Sequence, residues 1–290
     1  MATTREWIQG ARPRTLPAAI APVLVGTGIA QHFDLVNVGR ALLALVVALA
    51  LQAGVNYAND YSDGIRGTDK IRVGPVRLVG QGLAKPHEVK RAAFLMFFVA
   101  MASGLALVLL TQTWWLLLVG AASIAAAWFY TGGSRPYGYA GFGELFVFVF
   151  FGIVPVMGTA YVQTMEITLG AFIASVGVGA LACSILITNN LRDIPGDTEH
   201  NKRTLAVRIG DQNTRKLYVG SLVIAFIVPA ALVIPYGLWV LVGYAALPWV
   251  FLPIKLVRRG SSGPALIPVL KATGNLLLIY GVALAVGLAL

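Results

Sequence analysis

Residues 41–70 read "ALLALVVALALQAGVNYANDYSDGIRGTDK", an apolar run that passes directly into a string of asparagines and aspartates. The apolar part is long enough to cross the hydrocarbon core of a bilayer, which takes about 20 residues of helix. The rest of the chain shares this character, since 58% of its 290 residues are hydrophobic and 12% are charged. A soluble domain carries roughly 25% charged residues. The sequence therefore predicts an all-α integral membrane protein.

Nine apolar segments of this kind follow one another along the chain. They predict a bundle of nine transmembrane helices in a single domain, residues 1–290. The predicted spans are about 15–33, 40–60, 92–111, 113–131, 143–162, 168–191, 216–235, 237–256 and 267–289.

The distribution of basic residues predicts how this bundle lies in the membrane. If nine helices alternate in direction, Arg40 is the only one of the 22 Lys and Arg residues on its side. Basic residues concentrate on the cytoplasmic side of membrane proteins, which predicts a cytoplasmic N-terminus in the cell membrane. The net charge of +10 follows from the same bias, and no nucleic-acid partner is needed to explain it.

The polar string at the end of the quoted run has helical spacing. Asn56, Asp60 and Asp63 are related as i, i+4 and i+7, which places them within about 60° on one face of a helix. Charged groups at membrane depth are rare and mark ion or substrate sites. The alternative is that these acids are simply solvated at the end of the helix.

A second string favours the functional interpretation. Residues 186–203 read "LITNNLRDIPGDTEHNKR", with Asn189, Asp193 and Asp197 at i, i+4 and i+8. The first two repeat the Asn–Asp spacing of the first string 133 residues further along, which suggests a distant internal repeat with halves near 1–130 and 131–290. Pro195 is predicted to end or kink this helix, so that Asp197 would lie in a loop.

Both strings are followed by basic residues on the same predicted side. Mg²⁺ is usually bound by one or two carboxylates together with phosphate oxygens of a substrate. The predicted metal ligands are Asp60, Asp63, Asp69, Asp193 and Asp197. Lysine and arginine bind phosphate oxygens by charge-assisted hydrogen bonds, and the candidates for a diphosphate are Lys70, Arg72, Arg77, Arg135, Lys202 and Arg203.

The two strings resemble those of the UbiA-type intramembrane aromatic prenyltransferases, nine-helix bundles that use Mg²⁺ to bind a polyprenyl diphosphate in one active-site cavity. Three stretches are similar to the 1,4-dihydroxy-2-naphthoate polyprenyltransferases of menaquinone synthesis, especially actinobacterial ones. They are "ARPRTLPAAIAPVLVGTG" at 11–28, "NYANDYSDGIRGTD" at 56–69 and "YTGGSRPYGYAGFGE" at 130–144. The resemblance covers nearly the whole chain.

This resemblance implies a reaction, the transfer of a polyprenyl group from its diphosphate to 1,4-dihydroxy-2-naphthoate with loss of CO₂ and diphosphate, giving demethylmenaquinol. It implies an active face on the cytoplasmic side of the membrane. By position, the catalytic residues are those of the two metal-diphosphate motifs, Asn56, Asp60, Asp63, Asn189, Asp193 and Asp197. Whether Asp63 or Asp69 completes the first metal site stays open, because many relatives have their last acid four residues after its predecessor.

Further residues are candidates for the pocket of the aromatic acceptor or the prenyl group. They are Arg12, Arg14, Tyr57, Tyr61, Tyr130 and Glu144. Tyrosine rings stabilise a nearby cation, and arginine binds a substrate carboxylate. Each assignment has a plainer alternative: the basic residues, including Arg135, fit the topology bias, and Glu144 fits an acid at a helix N-terminus.

Two other functions remain open at this point. A related prenyltransferase would act on 4-hydroxybenzoate, homogentisate or a chlorin. A small-molecule transporter would carry charged residues deep within several helices, whereas here the acids gather at helix ends. Neither the length of the prenyl chain nor the oligomeric state follows from the sequence.

Overall fold

A computed structural model describes residues 2–67 and 76–290, and the regular structure within these ranges is entirely helical. The α-helices are α1 Thr4–Gly10, α2 Pro17–His32, α3 Val38–Ile65, α4 Pro86–Thr111, α5 Leu116–Phe129, α6 Gly143–Phe148, α7 Val154–Thr164, α8 Leu169–Glu199, α9 Leu205–Tyr236, α10 Phe251–Arg258 and α11 Ile267–Ala289. Short 3₁₀ segments lie at Pro13–Thr15, Tyr137–Ala140 and Gly263–Leu266, and a longer one of 13 residues at Leu238–Val250. A π-helical turn, Val149–Ile153, joins α6 to α7.

Each of the nine predicted spans falls on helical structure. Seven helical stretches in the described part of the chain are long and apolar enough to cross a membrane: Val38–Ile65, Pro86–Thr111, Gly143–Thr164, Leu169–Glu199, Leu205–Tyr236, Leu238–Arg258 and Gly263–Ala289. The two remaining spans are shorter, with 16 residues in α2 and 14 in α5. The protein is an all-α, multi-pass membrane protein, and the count of nine crossings stays a prediction.

The tightly packed side of the bundle is built around α8. This helix packs on α9, α11 and α2, where Tyr218 and Tyr280 are completely buried and both hydroxyls are hydrogen-bonded. Small residues permit the close approach, as is usual between membrane helices. A Cβ on Gly152 would lie 2.4 Å from the Cα of Gly179, so a side chain there would push the π-helical turn away from α8.

The other side of the bundle is more open. Helix α3 packs along α4, and α5 lies against both of them. Only Ser123 and Ala126 of α5 are buried. The space between α5 and the α6–α7 segment belongs to a large cavity.

Pro195 does not end the helix, because α8 continues through it to Glu199 and includes the buried Asp197. The prediction that Asp197 lies in a loop was therefore wrong. Proline removes one backbone hydrogen bond; one turn later the Thr198 hydroxyl donates to the carbonyl of Ile194 at 2.8 Å. Packing in a helix bundle compensates for such a local loss. The second string therefore lies wholly on one helix.

Candidate active site

One cavity of about 970 Å³ joins the two strings to the apolar interior. It is lined by α3 from Ala44 to Asp63, which at 1.5 Å per residue is a depth of about 28 Å. Its polar end is formed by charged and amide side chains. These are Gln9, Arg12, Arg14, Gln52, Asn56, Asn59, Asp63, Arg77, Asn189, Asn190, Arg192, Asp197, Lys202 and Lys271. Beyond them the lining is almost wholly aliphatic and aromatic.

Two side chains of the first string line the cavity, and the third is hydrogen-bonded within the protein. Asp63 lines the cavity. Its Oδ1 accepts a hydrogen bond from the Tyr139 hydroxyl and forms an ion pair with Lys202 Nζ at 3.2 Å. Asp60 is 1% exposed and is not among the lining residues. Its two oxygens accept from the backbone N–H groups of Leu78 at 2.7 Å and Val79 at 3.1 Å.

Asn56 also faces the cavity, from one turn below Asp60. Its Nδ2 donates to the carbonyl of Ala11 at 2.9 Å and to Thr15 Oγ1 at 3.2 Å. The first string thus fixes the N-terminal segment, which carries Arg12 and Arg14, against α3.

The second string shows the same division. Asn189 and Asp197 line the cavity, whereas Asp193 does not. Both oxygens of Asp193 accept from its neighbour Arg192, from Nε at 2.7 Å and from Nη2 at 2.8 Å. In each string the first and last members face the cavity, and the middle carboxylate is held by the protein.

The donor set at the polar end fits a hard divalent cation that also binds phosphate. Within residues 2–67 and 76–290, no three His, Cys, Asp or Glu side chains converge as a metal cage, and Asp69 lies outside these residues. Mg²⁺ needs only one or two carboxylates when a substrate supplies phosphate oxygens. Asp63 and Asp197 meet that requirement, and the amides of Asn56 and Asn189 line the same cavity about two helical turns away.

Comparison with known proteins identifies the family of the chain. The model of the UbiA prenyltransferase family matches residues 19–266. The chain belongs to the UbiA prenyltransferase family. It is 53% identical to a 1,4-dihydroxy-2-naphthoate octaprenyltransferase from Mycobacterium tuberculosis over 100% of this chain and 98% of the relative. A protein of the same name from Escherichia coli is 39% identical, over 97% and 96% of the two chains.

Solved structures of UbiA homologues share the fold. The homologue from Archaeoglobus fulgidus bound to DMAPP and Mg²⁺ superimposes with a TM-score of 0.67 at 16% identity, over 97% of this chain and 99% of that one. The homologue from Aeropyrum pernix K1 gives a TM-score of 0.72 at 17% identity, over 92% and 96%.

The basic residues predicted for the diphosphate occupy different places in this UbiA fold. Arg77 and Lys202 are buried and line the cavity. Arg135 and Arg203 are exposed and lie outside the lining, and Arg203 borders a smaller surface pocket instead. Lys70 and Arg72 fall outside the described residues.

Two cationic lining residues were not predicted. Arg192 precedes Asp193 directly within the second string, so its sequence position was a usable signal. Lys271 comes from α11, one turn before Gly274, whose added Cβ would lie 3.2 Å from the Arg14 carbonyl oxygen. No sequence pattern predicts this contact between α11 and the N-terminal segment. It places Lys271 on the cavity wall that also holds Arg12 and Arg14.

Of the three predicted tyrosines, only Tyr130 lines the cavity. Tyr57 donates to the carbonyl of Trp7 at 2.9 Å, and Tyr61 stacks on Trp128 with centroids 6.2 Å apart. The reason is helical geometry: each follows a member of the first string by one residue, which turns it about 100° away. The placement of these two in the pocket was therefore wrong.

Other aromatic residues line the cavity in their place. Tyr137, Tyr139, Phe146 and Phe150 all contribute to its wall. Burial, followed by the charge of Asp63, raises the pKa of Tyr139 above its usual range. The phenol is therefore protonated at neutral pH and donates to Asp63.

Glu144 lies behind the cavity wall. It is buried and is not among the lining residues. Its Oε1 accepts a hydrogen bond from Asn190 Nδ2 at 2.9 Å. Asn190 itself lines the cavity, so any action of Glu144 on a substrate passes through this amide.

Proposed function

We propose that this UbiA family member is a Mg²⁺-dependent 1,4-dihydroxy-2-naphthoate polyprenyltransferase, which releases diphosphate and CO₂ and forms demethylmenaquinol. One observation carries the proposal: a single cavity, about 28 Å long from end to end, joins two carboxylates and buried cations to an apolar space. That arrangement suits an amphipathic substrate with an anionic head and a long hydrocarbon tail. The names of the mycobacterial and Escherichia coli relatives support the choice of acceptor.

The polar end is proposed to bind the diphosphate. Asp63 and Asp197 would hold Mg²⁺, which when bound supplies positive charge to the phosphate oxygens. Arg77, Arg192 and Lys202 donate hydrogen bonds to the remaining anionic oxygens. As the allylic C–O bond breaks, its electron pair goes to the diphosphate. Fixed positive groups in a site with little water stabilise that developing charge.

The aromatic acid is proposed to enter beside the N-terminal segment. Arg12, Arg14 and Lys271 lie on this side of the cavity and suit a carboxylate. The electron-rich ring forms a C–C bond to the allylic carbon. When the bond between the ring and the carboxylate breaks, CO₂ leaves and the bonding electron pair stays in the ring. The prenyl group thus takes the place of the carboxylate, and aromaticity is restored.

The apolar part of the cavity is proposed to hold the prenyl tail. Phe146 and Phe150 stack on each other at 5.9 Å between centroids and form one wall, opposite α5. Exclusion of water protects the allylic cation, and the ring face of Tyr130 stabilises its charge. The light packing of α5 leaves a lateral way for the tail into the lipid.

We also propose the finer topology. The chain forms one domain, residues 1–290, with nine crossings, a cytoplasmic N-terminus and a cytoplasmic active face in the cell membrane. The shared division of the two strings supports a distant repeat of halves near 1–130 and 131–290. Cysteine labelling of single-cysteine variants at exposed Arg135 and Glu166 from each side of vesicles tests it: opposite accessibility is expected, and equal accessibility contradicts it.

Purified protein tests the function directly. It is assayed with Mg²⁺, a polyprenyl diphosphate and each acceptor in turn: 1,4-dihydroxy-2-naphthoate, 4-hydroxybenzoate, homogentisate and a chlorin. Turnover of the naphthoate, lost on chelation and restored by Mg²⁺, is expected. Faster turnover of another acceptor would reassign the substrate. No transfer to any acceptor, together with substrate uptake into vesicles, would favour a transporter.

A further inference from the structure

Glu144 is a buried carboxylate beside the cavity that the transfer reaction does not use. It is 9% exposed, and Oε2 is enclosed with no hydrogen-bond partner among the described residues. Burying a carboxylate with half of its oxygens unsatisfied is costly. The contact that it does make, at 2.9 Å to Asn190 Nδ2, is therefore the feature to explain.

The position of Glu144 is fixed by its backbone. Its carbonyl accepts from the Cys183 thiol at 3.2 Å, and a Cβ on neighbouring Gly143 would lie 3.2 Å from the Leu186 side chain. Cys183, Leu186 and Asn190 share one face of α8 at i, i+3 and i+7. The start of α6 is thus held against the same face of α8 that carries Asn190.

The chemistry of the pair determines how the Asn190 amide is turned. The Glu144 oxygen in this pair accepts the hydrogen bond, whereas an asparagine amide has a donor end and an acceptor end. Glu144 therefore selects the rotamer in which the NH₂ group of Asn190 faces it. Because Asn190 lines the cavity, its carbonyl oxygen is the end that is left for a ligand.

We infer that Glu144 is a positioning residue, which turns Asn190 so that Asn190 Oδ1 accepts a hydrogen bond from a hydroxyl group of the aromatic acceptor. The inference rests on the proposed function, because it needs a hydroxylated ring in this cavity. A hydroxyl that donates to a carbonyl becomes more electron-rich, and so does its ring, which favours attack on the allylic carbon. The opposite rotamer would present an N–H donor and withdraw electron density.

Methyl ethers of the acceptor test whether Asn190 recognises a free hydroxyl. A merely structural role of Asn190 would leave the preference for the hydroxyl over the methyl ether unchanged. A site built to bond a hydroxyl strongly rejects an analogue without it. The wild-type enzyme is expected to prefer 1,4-dihydroxy-2-naphthoate over one of its two monomethoxy analogues by about 100-fold in kcat/KM. In Asn190→Leu this preference is expected to fall to a few-fold, and the acceptor KM to rise about tenfold, with the KM for polyprenyl diphosphate unchanged.

The Glu144 variants separate positioning from packing. Glu144→Leu should lose the discrimination as Asn190→Leu does, and the double variant should be no worse than Asn190→Leu alone. Glu144→Gln should retain most of it, because the Gln carbonyl still accepts from Asn190. Glu166→Leu is the matched control, since Glu166 is exposed in the segment between α7 and α8, and it should match wild type.

Two failures are distinguishable. If wild-type protein does not prenylate the naphthoate, the proposed function fails. If it does, but Asn190→Leu keeps the wild-type preference for the free hydroxyl, the inference is overturned. Should Glu144→Leu not fold, as judged by detergent-phase monodispersity, Asn190→Leu and Glu144→Gln still decide the matter.

Discussion

The two polar strings, 56–63 on α3 and 189–197 on α8, share a pattern but use their middle acid differently. Asp60 reaches 18 residues along the chain to the backbone of Leu78, next to the cavity residue Arg77. Asp193 pairs with Arg192, its immediate neighbour. One carboxylate therefore anchors a loop, and the other holds the side chain of a cavity arginine. Similar sequence spacing does not by itself specify the same role for each acid.

The largest expected effect comes from the last acid of each string. Asp63→Asn and Asp197→Asn should each lower kcat about 100-fold or more, because each removes one of the two carboxylates proposed for Mg²⁺. For Asp63→Asn the folded state should persist, since an Asn oxygen still accepts from Tyr139 and Lys202. Steady-state kinetics at saturating Mg²⁺ provide the measurement. Near-normal turnover by either variant would break the parallel between the strings.

Substitution of the middle acid should have a different effect on kcat/KM in each of the two strings. Asp60→Asn cannot accept at both positions, so it loosens the segment of Leu78 and Val79 and displaces Arg77. A loss of about 30-fold in kcat/KM for polyprenyl diphosphate is expected. Asp193→Asn should cost less, because Arg192 stays in the cavity wall and gains freedom to bind phosphate. Equal losses of kcat/KM in Asp60→Asn and Asp193→Asn would contradict the view that Asp60 anchors a loop while Asp193 only pairs with its neighbour Arg192.

Much of this comparison was predictable from sequence, and its limits are physical. Apolar length predicts the helices, and i, i+7 spacing brings Asn56 and Asp63 to one face, as the structure confirms. Helical period could also have excluded Tyr57 and Tyr61 from that face. The contribution of Tyr139 and Lys271 depends on how a loop and α11 dock, which no local pattern encodes. The position of Asp197 on α8 was not predictable, because the packing of α8 outweighs the local effect of Pro195 and local sequence does not encode that packing.

Substitution of a buried cation should affect substrate binding more than substitution of an exposed one. Arg77→Gln should raise the KM for polyprenyl diphosphate about tenfold, because it removes a charge-assisted hydrogen bond inside the cavity. Arg203→Gln is its matched control, since Arg203 was predicted for the same role but lies exposed in a separate surface pocket. It should change this KM less than about twofold. Equal effects would mean that the exposed arginine closes over the substrate.

The smallest expected effect concerns Tyr139, which donates to Asp63 of the first string. Tyr139→Phe removes one hydrogen bond but leaves Lys202 on the same oxygen, so kcat should fall about threefold. Burial and the charge of Asp63 raise the pKa of Tyr139, so its hydroxyl stays protonated beyond the ordinary tyrosine value of about 10. The ratio of wild-type to variant activity should therefore be constant from about pH 7 to pH 10. A ratio that declines towards 1 within this range would show that the phenol ionises there, and would remove Tyr139 as a constant donor to the acid that lines the cavity.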